Sequence, residues 1–258
     1  MKLIVTRPRL EAETWVKELR ALHLDAIALP LIHIGAPVNS QDVTKAWGNL
    51  HQYRAVMFVS SNAVRYFYAI NMPTGSIFTA CTAIESIVNL EVQTAKPRFW
   101  ATGPGTREAL LAHSVPSDLI DSPASNAAQF DSETLWTIVK QQVKPGDKVL
   151  IVRGRSLSPK DAEGAESQKM NGRPWLAEQL TAAGVQVDEV VSYERRAPAF
   201  DAADLALLRQ ASTDQSIWLL SSSEAIAHLL QLYPKQDWSR QRALATHRAA
   251  DLAAGLVD

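Results

Sequence analysis

Short apolar runs alternate with amphipathic stretches from one end of this chain to the other. Short segments rich in apolar or β-branched residues at 2–6, 26–32, 55–60, 98–103, 118–121, 148–153, 187–193, 217–221 and 243–246 predict strands. Between them, helical periodicity predicts helices starting near Leu10, Val43, Asn62, Arg107, Ser132, Pro174, Ala202, Ser223 and Ala249. In the first of these, Trp15, Leu19 and Leu22 fall on one face with charges opposite. Strand and helix in strict alternation predict an α/β protein built on parallel sheets. Trp15, Trp136, Trp175 and Trp218 occupy core-like positions in this scheme.

The units repeat. KLIVTRP followed by WVKELRALHLDAIALPLI parallels KVLIVRG followed by WLAEQLTAAGVQVDEVVSY: strand, basic turn, helix, strand. VMFVSSNAVRYF parallels IWLLSSSEAIAHLL, and RFWATGPGTREALLAH parallels RALATHRAADLAAG. The repeats predict two similar halves, one inserted into the other, with linkers over 34–38 and 192–198. The expected division is a discontinuous domain over 1–35 and 196–258 and an inserted domain over 36–195. Residues 155–172 carry almost no apolar side chains and read as a loop.

Composition narrows the function by exclusion. A net charge of −1 supplies no overall positive field for nucleic acid. Cys81 is the only cysteine, so neither an internal disulfide nor a zinc site of several thiolates is available. The apolar run at the N-terminus is too short for a signal peptide, and no run reaches membrane-spanning length. A soluble cytoplasmic protein is the expectation. Gly103-Pro104-Gly105 lacks the third glycine of a dinucleotide fingerprint, because Glu108 stands there. Walker A and GxSxG sequences are absent, and the six histidines show no HExxH pattern.

The remaining chemistry lies where parallel sheets place ligands, at the carboxyl ends of strands and the starts of helices. Those positions hold Thr6-Arg7, Ser60-Ser61-Asn62, Gly103 to Thr106, Arg153, Ser221-Ser222-Ser223 and Thr246-His247-Arg248. Hydroxyls and free N–H groups at helix starts bind carboxylate or phosphate. A serine at such a position serves equally as an N-cap, so each one alone leaves both roles open. Tyr193 ends a strand beside an expected linker, where a phenol could assist a leaving group.

Taken in order, LIVTRP at 3–8, FVSSNAV at 58–64, GPGT at 103–106, DSETL at 131–135, VLIVRG at 149–154, GRPWLAEQL at 172–180, VVSYERR at 190–196, SSSEAI at 221–226 and THR at 246–248 resemble the uroporphyrinogen-III synthase family. The resemblance implies two flavodoxin-like domains joined by a two-stranded linker, the first domain discontinuous. It implies cyclisation of the linear tetrapyrrole hydroxymethylbilane, with loss of water and inversion of the last pyrrole ring, by a cytoplasmic monomer using no cofactor or metal. By motif it makes Tyr193 the group assisting hydroxyl departure. Ser60, Ser61, Asn62, Gly103, Thr106, Ser221, Ser222, Ser223 and Thr246 would bind substrate carboxylates, with Arg7, Arg153 and Arg173 as charge partners. Against the family pattern, the chain is expected to lack a last strand and helix. The alternative reading is a non-catalytic two-domain binding protein for an anionic small molecule such as a tetrapyrrole.

Overall fold

The computed structural model of the protein describes residues 2–72, 97–157, 174–239 and 241–245. Cys81, Arg173, Thr246, His247, most of the 155–172 loop and the helix expected near Ala249 lie outside the described residues. The chain divides into two compact units: the described residues of 1–34 and 195–258 belong to one, those of 35–156 and 166–194 to the other, with Leu157 grouped with the first.

The first unit carries a sheet of four strands in the order β10-β9-β1-β2, where β1 is Leu3–Val5, β2 Ala26–Ala28, β9 Ile217–Leu220 and β10 Arg242–Ala245. All three pairings are parallel; Leu3 stands opposite Ala26 on one side and Ile217 on the other. Side chains along β1 alternate between two cores. Leu3 and Val5 pack with Ala12, Trp15 and Leu19 of α1 (Arg9–Ala21). Ile4 packs with Leu208 of α7 (Ala202–Ala211) and with Ala225 and Leu229 of α8 (Ser223–Leu232). The helix after β1 therefore covers one face and the helix after β9 the other, although the two strands are neighbours. That reversal is a topological switch point, where α/β sheets open a crevice for ligands.

The sequence predicts one strand over 26–32, and the structure breaks it. Beyond Ala28 the chain follows β1 through single bonds, Leu29 N–H to Val5 and Leu31 N–H to Thr6, and Pro30 between them has no N–H to give. Leu29, Leu31 and Ile32 still turn into the core, held in part by His228 of α8, whose Nδ1 lies 2.7 Å from the Leu31 carbonyl. Strand structure resumes as β3, His33–Gly35, in the other sheet.

That sheet has six strands in the order β3-β8-β7-β4-β5-β6, with β4 Ala55–Phe58, β5 Arg98–Ala101, β6 Ile120–Asp121, β7 Lys148–Ser156 and β8 Gln186–Arg196. The pairings β4–β7, β4–β5 and β5–β6 are parallel. Met57, Trp100, Val149 and Ile151 face α5 (Ser132–Val139) and α6 (Trp175–Ala182). Phe58 faces the opposite way, edge-on to Phe67 of α3 (Ser61–Asn71). Trp47 of α2 (Gln41–Gly48) closes the same aromatic group against Phe67 and Tyr68. Here the helix after β4 and the helix after β7 leave to opposite faces, so a second switch point lies between those two strands. The segment 192–196, expected within a linker, is strand throughout, and the division between the two units falls inside it, between Glu194 and Arg195.

His113, just past α4 (Pro104–Ala112), stacks on Tyr68 at 4.5 Å between ring centroids. Burial, and then the charge of Arg65, lowers its pKa. The folded protein thus holds a proton there less readily than the unfolded chain. Stability from this site is full above the unfolded value near 6.5 and is lost as pH falls through the lower folded value. His113→Gln should flatten the fall in melting temperature from about pH 7 to about pH 5; a slope equal to that of the parent protein would show that His113 does not titrate as its surroundings require.

Candidate functional site

Of the two hydroxyl-bearing turns that follow β4 and β5 in the six-stranded unit, the start of α3 is the more accessible. It follows β4 directly at the switch point. Ser60, Ser61 and Asn62 are half-buried. Ser60 is the N-cap, its Oγ accepting the Ala63 N–H at 3.2 Å. The same oxygen lies 3.2 Å from Tyr193 Oη and donates to it. Of the two roles that the sequence leaves open at this position, Ser60 takes that of the cap, and it adds a hydroxyl partner that no local pattern shows.

Tyr193 sits on β8 and is 1% exposed, rather than presented at the end of a strand as its position predicts. Three features hold its ring. Tyr66 of α3 stacks on it, with ring centroids 6.1 Å apart and 27° between planes. Gly154 of β7 lies flat against it, so close that any Cβ at 154 would overlap the outer ring carbons. The neighbouring Ser192 donates to the Ala63 carbonyl at 3.1 Å, fixing strand to helix. Tyr66 and Gly154 were not among the expected site residues. A glycine inside a strand signals close backbone approach, which is what Gly154 provides.

The turn after β5 is closed. Gly103 caps α4 with Pro104 in the first position of the helix, an arrangement suited to proline. Gly103 and Thr106 are buried, and a Cβ on Gly103 would meet Phe130 at 3.2 Å. Thr106 therefore faces the interior and does not present its hydroxyl, contrary to the sequence expectation.

Arg153 also departs from expectation. Its side chain follows Val149 and Ile151 onto the α5–α6 face, the opposite side of the sheet from Ser60 and Tyr193. Its Nη1 donates to Glu189 of β8 at 2.8 Å, and the side chain is 5% exposed. A pocket of about 380 Å³ lies there, floored by Met57, Ile151 and Leu176. Among its described lining residues Asp131, Glu133 and Glu189 outnumber the one guanidinium, and Asp131 caps α5 by accepting the Thr134 N–H. That lining suits neutral or cationic groups better than a chain of carboxylates. The DSETL motif is the signal that marks this helix start in the sequence.

In the four-stranded unit, Ser221, Ser222 and Ser223 follow β9 at its switch point. Ser222 caps α8 by accepting the Glu224 N–H at 3.2 Å, and Ser223 is exposed. Glu224 meets Arg195 at 3.4 Å. Thr6, fully buried, donates to the Leu219 carbonyl at 2.7 Å and fastens β1 to β9. Arg7 lies down along α1: Nη1 donates to Glu11 at 3.1 Å, and the guanidinium rests 4.3 Å above the Trp15 ring. No group of three or more acidic, histidine or cysteine side chains able to hold a metal occurs among the described residues, and no described helix is long and apolar enough to cross a membrane.

Fold and site together define a two-unit parallel α/β protein with hydroxyl-capped helix starts at the switch point of each sheet. The chain belongs to the uroporphyrinogen-III synthase family: the family model described as uroporphyrinogen-III synthase HemD matches residues 13–250. Similar proteins include the uroporphyrinogen-III synthase of Salmonella typhimurium, 27% identical over 95% of this chain and 84% of that protein. The Escherichia coli synthase is 25% identical over the same shares of the two chains. Among solved structures, a uroporphyrinogen III synthase of the extreme thermophile Thermus thermophilus shares the fold with a TM-score of 0.51 at 14% identity, covering all of this chain and 97% of that one. The Helicobacter pylori uroporphyrinogen-III synthetase gives 0.51 at 15% identity over 99% and 100%.

Proposed function

We propose that this protein converts hydroxymethylbilane into uroporphyrinogen III, losing the terminal hydroxyl as water, closing the macrocycle and inverting the last pyrrole ring. Membership of the family over most of the chain carries this reading. The chemistry of the site agrees with it. The substrate bears acetate and propionate arms on every ring, and helix starts with unpaired N–H groups and hydroxyls at 60–62 and 221–223 are suited to carboxylates. The pyrroles are electron-rich enough to displace water themselves. What the protein must add is orientation and a proton at the departing hydroxyl. The reaction is that of a lyase, and it asks for no metal or organic cofactor. The same reading takes the protein as a cytoplasmic monomer.

Tyr193 remains tied to hydroxyl departure in this proposal, together with its hydroxyl partner Ser60; Ser61, Asn62 and the serines at 221–223 take substrate carboxylates, and Arg173 and Thr246 are assigned by motif alone. Arg7 and Arg153 are left out of substrate contact because each is already engaged by a neighbouring carboxylate. Gly103 and Thr106 act at most through the backbone of α4. Incubation with hydroxymethylbilane, followed by chromatographic separation of the product isomers, tests the reading. The type III isomer is expected; type I alone, the product of unassisted closure, would overturn it.

A further inference from the structure

We infer that Ser60, rather than Tyr193, is the hydroxyl that touches the substrate, and that Tyr193 acts through it as the inner member of a two-hydroxyl relay. The inference rests on the synthase reading and specifies how its proton is delivered. Tyr193 is 1% exposed, its ring enclosed by Tyr66 and Gly154, so the phenol cannot itself meet a large substrate in this arrangement. Its Oη is joined to Ser60 Oγ at 3.2 Å, and Ser60 is half-buried where Tyr193 is enclosed. Of the two hydroxyls, Ser60 alone combines contact with the phenol and access from outside.

The donor inventory permits the relay. A serine hydroxyl has one proton and two lone pairs, and a phenol can donate or accept. One lone pair of Ser60 takes the Ala63 N–H. The other lone pair and the proton both lie within reach of Tyr193 Oη, 3.2 Å away, so the bond between the two hydroxyls can run in either direction. Rotation of both hydroxyls reverses the bond, so that Tyr193 donates to the second lone pair while Ser60 turns its proton outward. As the carbon–oxygen bond of the substrate breaks, the departing hydroxyl takes the Ser60 proton and leaves as water, and Ser60 recovers a proton from the phenol. After the last ring has inverted, the pyrrole α-carbon that attacks to close the macrocycle gives up the proton it carried, which restores the phenol. Protons and electrons balance without an outside reagent. The N-terminal dipole of α3 helps to stabilise the transient negative charge on the pair.

The decisive variant is Ser60→Asn. Asparagine caps a helix as well as serine does, and its amide can still hydrogen-bond the phenol, but an amide N–H does not pass its proton on. The relay requires kcat to fall by roughly 10² with KM and melting temperature close to the parent values. Ser60→Thr should recover most of the turnover that Ser60→Ala loses. Combined with Tyr193→Phe, Ser60→Ala should cost little more than the worse single change, since the two hydroxyls act in one chain. Unchanged kcat in Ser60→Asn, or additive losses in the double variant, would overturn the relay. Because the parent protein's type III product is read in the same assay, either result leaves the synthase reading standing, whereas type I product from the parent would remove the reading itself.

Discussion

Arg155→Met should lower the unfolding free energy by roughly 3–5 kcal/mol, the range measured when one member of a buried ion pair is removed. Glu194 of β8 carries a side chain with 0% exposure, and both Nε and Nη2 of Arg155 on β7 donate to its Oε1, at 3.0 and 2.6 Å. Methionine fills similar volume but leaves the carboxylate in a poor solvent without the guanidinium. The urea midpoint of unfolding should fall with the slope preserved. Arg155→Lys, which keeps the charge and loses the fork, should fall between the two. A midpoint within error of the parent protein would show that the rest of the environment satisfies Glu194 unaided.

The second large effect is expected at Gly154. Any side chain there enters the space of the Tyr193 ring. Gly154→Ala should cost about 1–3 kcal/mol, the usual penalty of overpacking, and for a chain of this size about 2–4 °C of melting temperature per kcal/mol. It should also displace the phenol from Ser60 and reduce turnover beyond the stability loss. The origin of the cost is separable. Combining Gly154→Ala with Tyr193→Phe leaves the ring in place and should relieve nothing, whereas combining it with Tyr193→Val should recover part of the stability. If both double variants behave alike, contact with the ring is not what excludes a side chain at 154.

The strands were legible because buried parallel strands are continuous apolar runs; β1, β4, β5, β9 and β10 lie within about two residues of their sequence-based ends. Pro30 marked the one serious error, since a residue without an N–H ends the ladder that its apolar neighbours suggest. The 192–198 linker was marked by the proline at its end, and the division between the two units falls inside it, between Glu194 and Arg195. How firmly its first residues are held was not legible, because Glu194 is buried by a partner 39 positions earlier, a pairing no local pattern contains. The turns at 60–62, 103–106 and 221–223 were found correctly as helix starts, whereas the basic turn expected at 153–154 lies inside β7. Which way their side chains point was not readable: Ser60 and Gly103 occupy equivalent cap positions after successive strands, and packing by Phe130 near Gly103 closes one turn while the other stays open. Arg153 falls on the far face by simple strand parity, and that much the sequence did contain.

Strand β8 is pinned at many points along seven residues: Asp188 to Tyr53, Glu189 to Arg153, Ser192 to the Ala63 carbonyl, Tyr193 to Ser60 and Glu194 to Arg155. A slip of one residue would break all five together and bring carboxylates into the apolar positions, so no neighbouring register competes with the native one. Sliding of β8 is thereby ruled out as a way of admitting substrate to Tyr193. Whatever yields when the enzyme works, this strand is the fixed rail against which it moves.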